Sequence, residues 1–294
     1  MTVRHDNLTV TWLGYATVRL ETESGFVAYL DPGRYGVLTG EWTPPGDEPV
    51  DHPAPVDYHA RDGDLVCVTH DHHYDPDGIR RVAKPDATVV AYEAVDADNV
   101  DRDVEPVEAL PYDVLRVDDE AHLTASRPGD ESTGGGDGQG LAVTVHGGSF
   151  DPAAADGTTG SDGTGDGEGG VADVWTLPAY NEPDGPRAGP DGSVSHPQGF
   201  GCAYLLSLDG TSVFWPGDSD ALPGFELLEP SLFLANIAGT VVMDRHEAAD
   251  LAEAMDPDLV VPVHYNTIDI LRTDSGAFAT DVARRSIPVA LDER

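Results

Sequence analysis

Residues 69–78 read THDHHYDPDG, Thr69 to Gly78. Three histidines and three aspartates fall within the eight positions from His70 to Asp77. The cluster follows directly on the apolar run Leu65-Val66-Cys67-Val68. Neutral imidazole and carboxylate are ligands for zinc and related divalent ions. On an extended chain alternate residues point the same way, so His70 and His72 can reach one ion. A buried strand ending in such a cluster predicts a metal site.

Three more places put metal-ligand residue types at the ends of apolar runs. His196 stands in SHPQGFG before an apolar run beginning at Cys202. Asp218 stands in FWPGDSD, and His264 in VVPVHYN. Sites so far apart in sequence, each at a strand edge, predict a pocket built from loops at one rim of a sheet. Asp31, in LDPG at a strand end, is a candidate to accept from the N–H of a ligand histidine. His5, His52, His59, His122 and His246 lie in polar or helical contexts and read as surface residues, and His146 opens a Gly-rich stretch.

Short apolar runs broken by turn residues predict strands at 8–13, 16–21, 26–30, 65–68, 88–92, 115–117, 141–145 and 174–177. Two more, 202–208 and 212–215, are joined by Asp209-Gly210 as a hairpin. Runs at 232–237 and 259–263 complete the set. Helices are predicted at 79–82, 244–255 and 273–285. In the second of these Asp244 and Glu247 have the spacing of a capping box. Residues 33–63 are Pro- and Gly-rich and read as an irregular excursion. Residues 128–140 and 147–170, rich in Gly and Asp, read as disordered insertions in a single domain spanning 1–294.

The composition is extreme: 54 Asp plus Glu against 16 Lys plus Arg, net charge -38, with Lys84 the one lysine. Such self-repulsion strains a fold at low salt, and dense counterions screen it. The chain therefore reads as a cytoplasmic protein of a salt-loving microbe. Without clustered basic residues it argues against nucleic-acid binding. The charge also disfavours anionic substrates unless a metal and local arginines offset it. Two cysteines, Cys67 and Cys202, sit in apolar runs as small core residues. No apolar stretch approaches the ~20 residues of a membrane span, and the N-terminus lacks an apolar signal core.

The series of motifs resembles the metallo-β-lactamase superfamily, and within it the ascorbate-6-phosphate lactonase-like hydrolases. The resemblance runs through TWLGYATVRLE at 11–21, YLDPG at 29–33, THDHHYDPDG, LPAYN at 177–181, HPQGFGCAYLLSLDG at 196–210 and VFWPGDSD at 213–220. It closes with AGTVVMDRHEAADLAEAMDPDLVVPVHYNT at 238–267. It implies an α/β four-layer αββα sandwich. The family motif His-x-His-x-Asp-His implies that His70, His72 and His196 hold one ion and that Asp218 bridges to a second, held also by His264. The remaining ligand is open between His73 and Asp75. Counting forward from His70 puts Tyr74 and Asp75 in the family's Asp-His places; counting back from Gly78 puts His73 in the last His place. Tyr15 stands where the family often has histidine, so Tyr15 and Tyr74 are candidates for packing or for a hydrogen bond to substrate.

The resemblance implies a metal-dependent hydrolase acting on a small molecule through an ester, lactone or phosphodiester bond. It implies Zn2+, one ion or two, with Mn2+ or Fe2+ as alternatives, and Asp218 as a catalytic candidate. Asp31, from its place at the strand end, is the other catalytic candidate, with a plain turn residue as the alternative reading. The competing readings are a binding or regulatory protein with a degenerate site and a metal-dependent nuclease.

Overall fold

The structure, a computed structural model, describes residues 2–43, 58–95, 104–117, 123–126 and 172–291. Fourteen strands are found among them. In chain order they are β1 (Thr2–His5), β2 (Leu8–Gly14), β3 (Thr17–Thr22), β4 (Val27–Leu30), β5 (Gly63–Val68), β6 (Ala83–Tyr92) and β7 (Val104–Ala109). Then follow β8 (Val114–Val117), β9 (Leu123–Ser126), β10 (Ala172–Ala179), β11 (Gly201–Leu208), β12 (Thr211–Trp215), β13 (Leu232–Asn236) and β14 (Leu259–Val263). The helices are α1 (Tyr35–Thr39), α2 (Pro76–Val82), α3 (Arg245–Met255) and α4 (Ser275–Arg284).

The strands form two seven-stranded sheets, one in the order β1-β2-β3-β4-β5-β6-β7, the other β14-β13-β12-β11-β10-β8-β9. Each is mixed. Strands β4 to β7 run parallel in the first, and β12 to β14 in the second. Together with flanking helices this is the metallo-β-lactamase fold the sequence implies. Strands β13 and β14 are buried along their whole length and β5 everywhere but Asp64, as near-continuous Val/Leu/Ala runs require. Their side chains join one apolar cluster between the sheets. Polar groups cross that cluster where they find partners: the Tyr204 hydroxyl on β11 donates to the Val68 carbonyl of β5 at 2.9 Å. Cys67 and Cys202 are buried free thiols.

The helix α3 begins with the predicted capping box. Asp244 accepts from the backbone of His246 and Glu247, and Glu247 accepts from the Asp244 backbone at 2.8 Å. Four elements have no counterpart in the sequence reading: α1, β1, β7 and β9. The predicted strand at 141–145, the insertions at 128–140 and 147–170, and His52, His122 and His146 lie outside the described residues. Among the described residues no helix is long and apolar enough to cross a membrane.

Parallel strands place their C-terminal ends on one side. Asp31 follows β4 and His70 follows β5 in the first sheet, and Asp218 follows β12 and His264 follows β14 in the second. The antiparallel β11 begins at that same rim, just after His196. An isolated bridge between His70 and Gly201 ties the two sheets together there.

Candidate metal centre

Five histidines and one aspartate converge at this rim. Asp218 lies between two groups and turns one oxygen to each. Its Oδ2 is 3.4 Å from His196 Nε2 and 3.7 Å from His70 Nε2. Its Oδ1 is 3.3 Å from His264 Nε2 and 3.7 Å from His73 Nε2. Within the groups, His72 Nδ1 is 3.2 Å from His196 Nε2, and His73 Nε2 is 3.3 Å from His264 Nε2. All but His72 are buried.

The donors fit divalent ions. Around zinc, with bonds of ~2.0–2.1 Å, tetrahedral ligand atoms lie about 3.3–3.4 Å apart, and the spacings here scatter around that value. His70 Nε2 is buried with no hydrogen-bond partner among the described residues. A buried polar atom left so is costly unless something else, such as a metal, takes its lone pair.

Surrounding groups fix which ring nitrogen faces the centre. Asp31 is buried at φ 44°, with its carboxylate behind the histidines. It accepts from the Thr69 backbone and hydroxyl, each at 2.8 Å, and from Trp215 Nε1 at 2.8 Å. His73 Nδ1 lies 3.0 Å from the same carboxylate, so that nitrogen carries the proton and Nε2 offers its lone pair inward. The Thr69 hydroxyl, its own proton given to Asp31, accepts from His70 Nδ1 at 2.9 Å. One carboxylate therefore sets two imidazoles. His196 Nδ1 faces two acceptors, Asn181 Oδ1 and the Val241 carbonyl, each at 3.2 Å, which likewise leaves Nε2 free.

Asp75 is not brought into this cluster. Its Oδ1 accepts from the Asp77 backbone and its Oδ2 from the Tyr35 backbone, each at 2.9 Å. It caps α2 and ties that helix to α1. The short turn at Asp71–His73 carries His73 inward in its place. Tyr74 packs against the apolar core. Tyr15 packs edge-on against His73 and His264, with ring centroids 5.4 and 4.7 Å apart.

At His70, His72, His196 and Asp218 the favoured protonation state is the ligating one. Burial first, then the neighbouring His73, holds His70 well below the usual histidine range. Burial also lowers His72, with His196 adding to it, and lowers His196. Neutral imidazole is the form that binds metal. Burial opposes charge on His73 too, but Asp218 and Asp31 outweigh it and raise that pKa. At Asp218 burial is outweighed by His264 and His73, and the carboxylate is held well below its usual range.

Sequence reading missed Thr69, Asn181 and Phe200, whose ring lies 4.9 Å from His72 and 5.6 Å from His70. Asn181 sat in the quoted LPAYN, which was the available signal. It also missed Arg34 and Trp42. These two line a cavity of about 300 Å³ beside the cluster, with Tyr15, Val241, Ile268 and Leu271 among its walls. His5, read as a surface residue, has a ring 10% exposed and bonded to Ser231 at 2.8 Å. With Asp6 and Asp258 it forms a separate, more exposed donor group.

Residues 168–264, which include His196, Asp218 and His264, match the β-lactamase superfamily domain. Over that third of the chain the sequence is similar to the superfamily, and the two-sheet fold agrees with that likeness. A UPF0173 metal-dependent hydrolase of Methanospirillum hungatei is 33% identical over 85 residues, 28% of this chain and 39% of that protein. The chain spans less than half the length of the curated relatives it matches first, 39% and 45%. A candidate metal-dependent hydrolase from Parabacteroides distasonis superposes with a TM-score of 0.58 at 18% identity, over 99% of this chain and 96% of that one. Igni18, a metallo hydrolase from Ignicoccus hospitalis, superposes with a TM-score of 0.56 at 18% identity, over 97% and 94%. At that identity the likeness is one of fold.

Proposed function

We propose that this chain is a metal-dependent hydrolase with a two-ion site, nearest the lactonase-like branch of its superfamily. His70, His72 and His196 hold one ion, and His73 and His264 hold the other. Asp218 bridges them. The observation that carries this is the Asp218 carboxylate, whose two oxygens face opposite histidine groups. The relatives' description as metal-dependent hydrolases supports it. The imidazole-rich donor set favours zinc.

Bound there, such ions act as Lewis acids toward a carbonyl or phosphoryl oxygen and lower the pKa of water toward ~7. The residues supply the rest. Asp31, Thr69 and Asn181 hold three of the imidazoles, His73, His70 and His196, in the ligating tautomer. Asp218 is anionic and aims at both groups. Tyr15, Phe200 and the apolar cavity wall shield the site from bulk water. The substrate is a small molecule with an ester, lactone or phosphodiester bond.

The test joins metal content to turnover. After supplementation with zinc, two ions per chain are expected, with hydrolysis of at least one ester, lactone or phosphodiester in a panel. His196→Ala and Asp218→Ala should each lose several kcal/mol of transition-state stabilisation, about 10³-fold in rate. Less than one ion per chain overturns the reading. Full metal with no turnover across the panel points to a binding protein instead.

A further inference from the structure

In a chain with 54 acidic and 16 basic residues, carboxylates are plentiful enough to claim arginines. Arg19 is held by Asp62 and Glu21, Arg187 by Asp220 and Glu247, Arg285 by Asp250 and Glu253. Arg34 differs. Among the described residues no carboxylate pairs with it, and it lines the cavity beside the histidine cluster.

Its side chain is nonetheless held. Arg34 Nε–H donates to the His72 carbonyl at 2.6 Å, and the guanidinium carbon lies 4.5 Å over the Trp42 ring. That uses one donor and one face. Among the described residues neither Nη group has a hydrogen-bond partner. The backbone at Arg34 is left-handed, φ 51°, a rare setting for a long side chain. Such strain persists where surrounding contacts over-determine a position, and it clusters at ligand sites. Apart from Ser195 and the polar cluster itself (His72, His196, Asp218 and His264), the rest of the cavity lining is apolar or aromatic: Tyr15, Trp42, Val241, Ile268, Ile270 and Leu271. Trp42 and Ile270 stay 37% and 44% exposed, so apolar surface continues to the mouth.

We propose that Arg34 is the residue that selects the substrate, which carries a carboxylate or phosphate group on an apolar body. Arg34 takes the anionic group. Trp42, Val241, Ile268, Ile270 and Leu271 take the body, which brings the scissile bond to the cluster. This assignment rests on the hydrolase reading. A planar guanidinium matches both anions through paired N–H donors. Low-dielectric walls strengthen that attraction. It also answers the problem set by the net charge of -38, because an anion reaching this cavity meets a fixed cation.

The test needs no turnover. Hexanesulfonate, an anion on an apolar chain and a weak metal ligand, is compared with hexanol by titration calorimetry on zinc-loaded protein. The wild type should favour the sulfonate. Arg34→Gln, at equal zinc occupancy, should lower the sulfonate-to-hexanol affinity ratio about 10- to 100-fold, the range for charge-assisted hydrogen bonds. Arg34→Lys keeps the charge, loses the fork and should fall between. A wild type without preference overturns the assignment. So does an unchanged ratio in Arg34→Gln, including one where both ligands weaken alike because Arg34 only clamps His72. Should Arg34→Gln not retain zinc, a wild-type ratio in Arg34→Lys overturns it. Protein that fails every hydrolysis assay but shows the loss keeps the Arg34 site and loses the reaction class; the converse result loses the site alone.

Discussion

Asp31 lies against His73, whereas Asp75, two residues after that histidine in sequence, faces backbone amides, and the difference in partners gives them different work. Asp31 accepts from three protein donors and backs His73, so its removal frees an imidazole to turn. Asp75 spends both oxygens on backbone amides. Asp31→Asn is therefore expected to weaken metal affinity about 10- to 100-fold, the range for partners of ligand histidines. Asp75→Asn should keep two ions per chain and cost about 1 kcal/mol of stability, as a lost helix cap does. Equilibrium dialysis with metal analysis, beside denaturant unfolding, separates the two; an ion lost from Asp75→Asn would return that residue to the ligand set. The sequence showed His70, His72, His196, Asp218 and His264 because each adjoins an apolar run. It left His73 against Asp75 open because the motif counts differently from its two ends. Only the turn at Asp71–His73 decides which side chain swings inward. Arg34 was hidden in a Pro- and Gly-rich stretch with no periodicity to mark it.

At the scale of elements, the loop after β4 and the loop after β5 are pressed together through glycines. A Cβ on Gly33 would stand 1.6 Å from the His73 carbonyl oxygen, and one on Gly78 1.7 Å from the Pro32 oxygen. Both obstacles are backbone, so neither can rotate away. Gly33→Ala is expected to push the Asp31–Arg34 loop off the histidine turn and cost about 1–3 kcal/mol, as overpacking does. Metal affinity should fall with it, because the Asp31 contact to His73 crosses the same interface. A Gly33→Ala protein with wild-type stability and metal content would show that the loops can part without harm. The buried central strands and α3 were legible, the first from continuous apolar runs and the second from its cap. The strand β7 was not. It carries Pro106 and two glutamates, a composition that argues against a central strand and is tolerated at a sheet edge, where β7 lies. The strand β1, also an edge, is at best half-buried and has no apolar run to announce it.

At the scale of the whole molecule the charge balance dominates. Even if every one of the 16 basic residues paired with a carboxylate, 54 less 16 leaves 38 acidic side chains without a cation. Salt acts on this in two directions. It weakens surface ion pairs, each worth ~1 kcal/mol or less, and it relieves repulsion among the unpaired carboxylates. The second group is more than twice as numerous, so relief should win. We propose that the chain works in concentrated salt. Its melting temperature, measured on zinc-loaded protein, should rise steeply from dilute buffer towards ~1 M KCl, where the Debye length has dropped to ~3 Å. Screening is then nearly complete. Any further gain in sulfate salts would come from their exclusion from apolar surface, and it should be shallower. A melting temperature that stays flat or falls over the first molar of KCl would mean that the fold spaces its carboxylates widely enough to carry them unscreened, and the inferred salt requirement would fail.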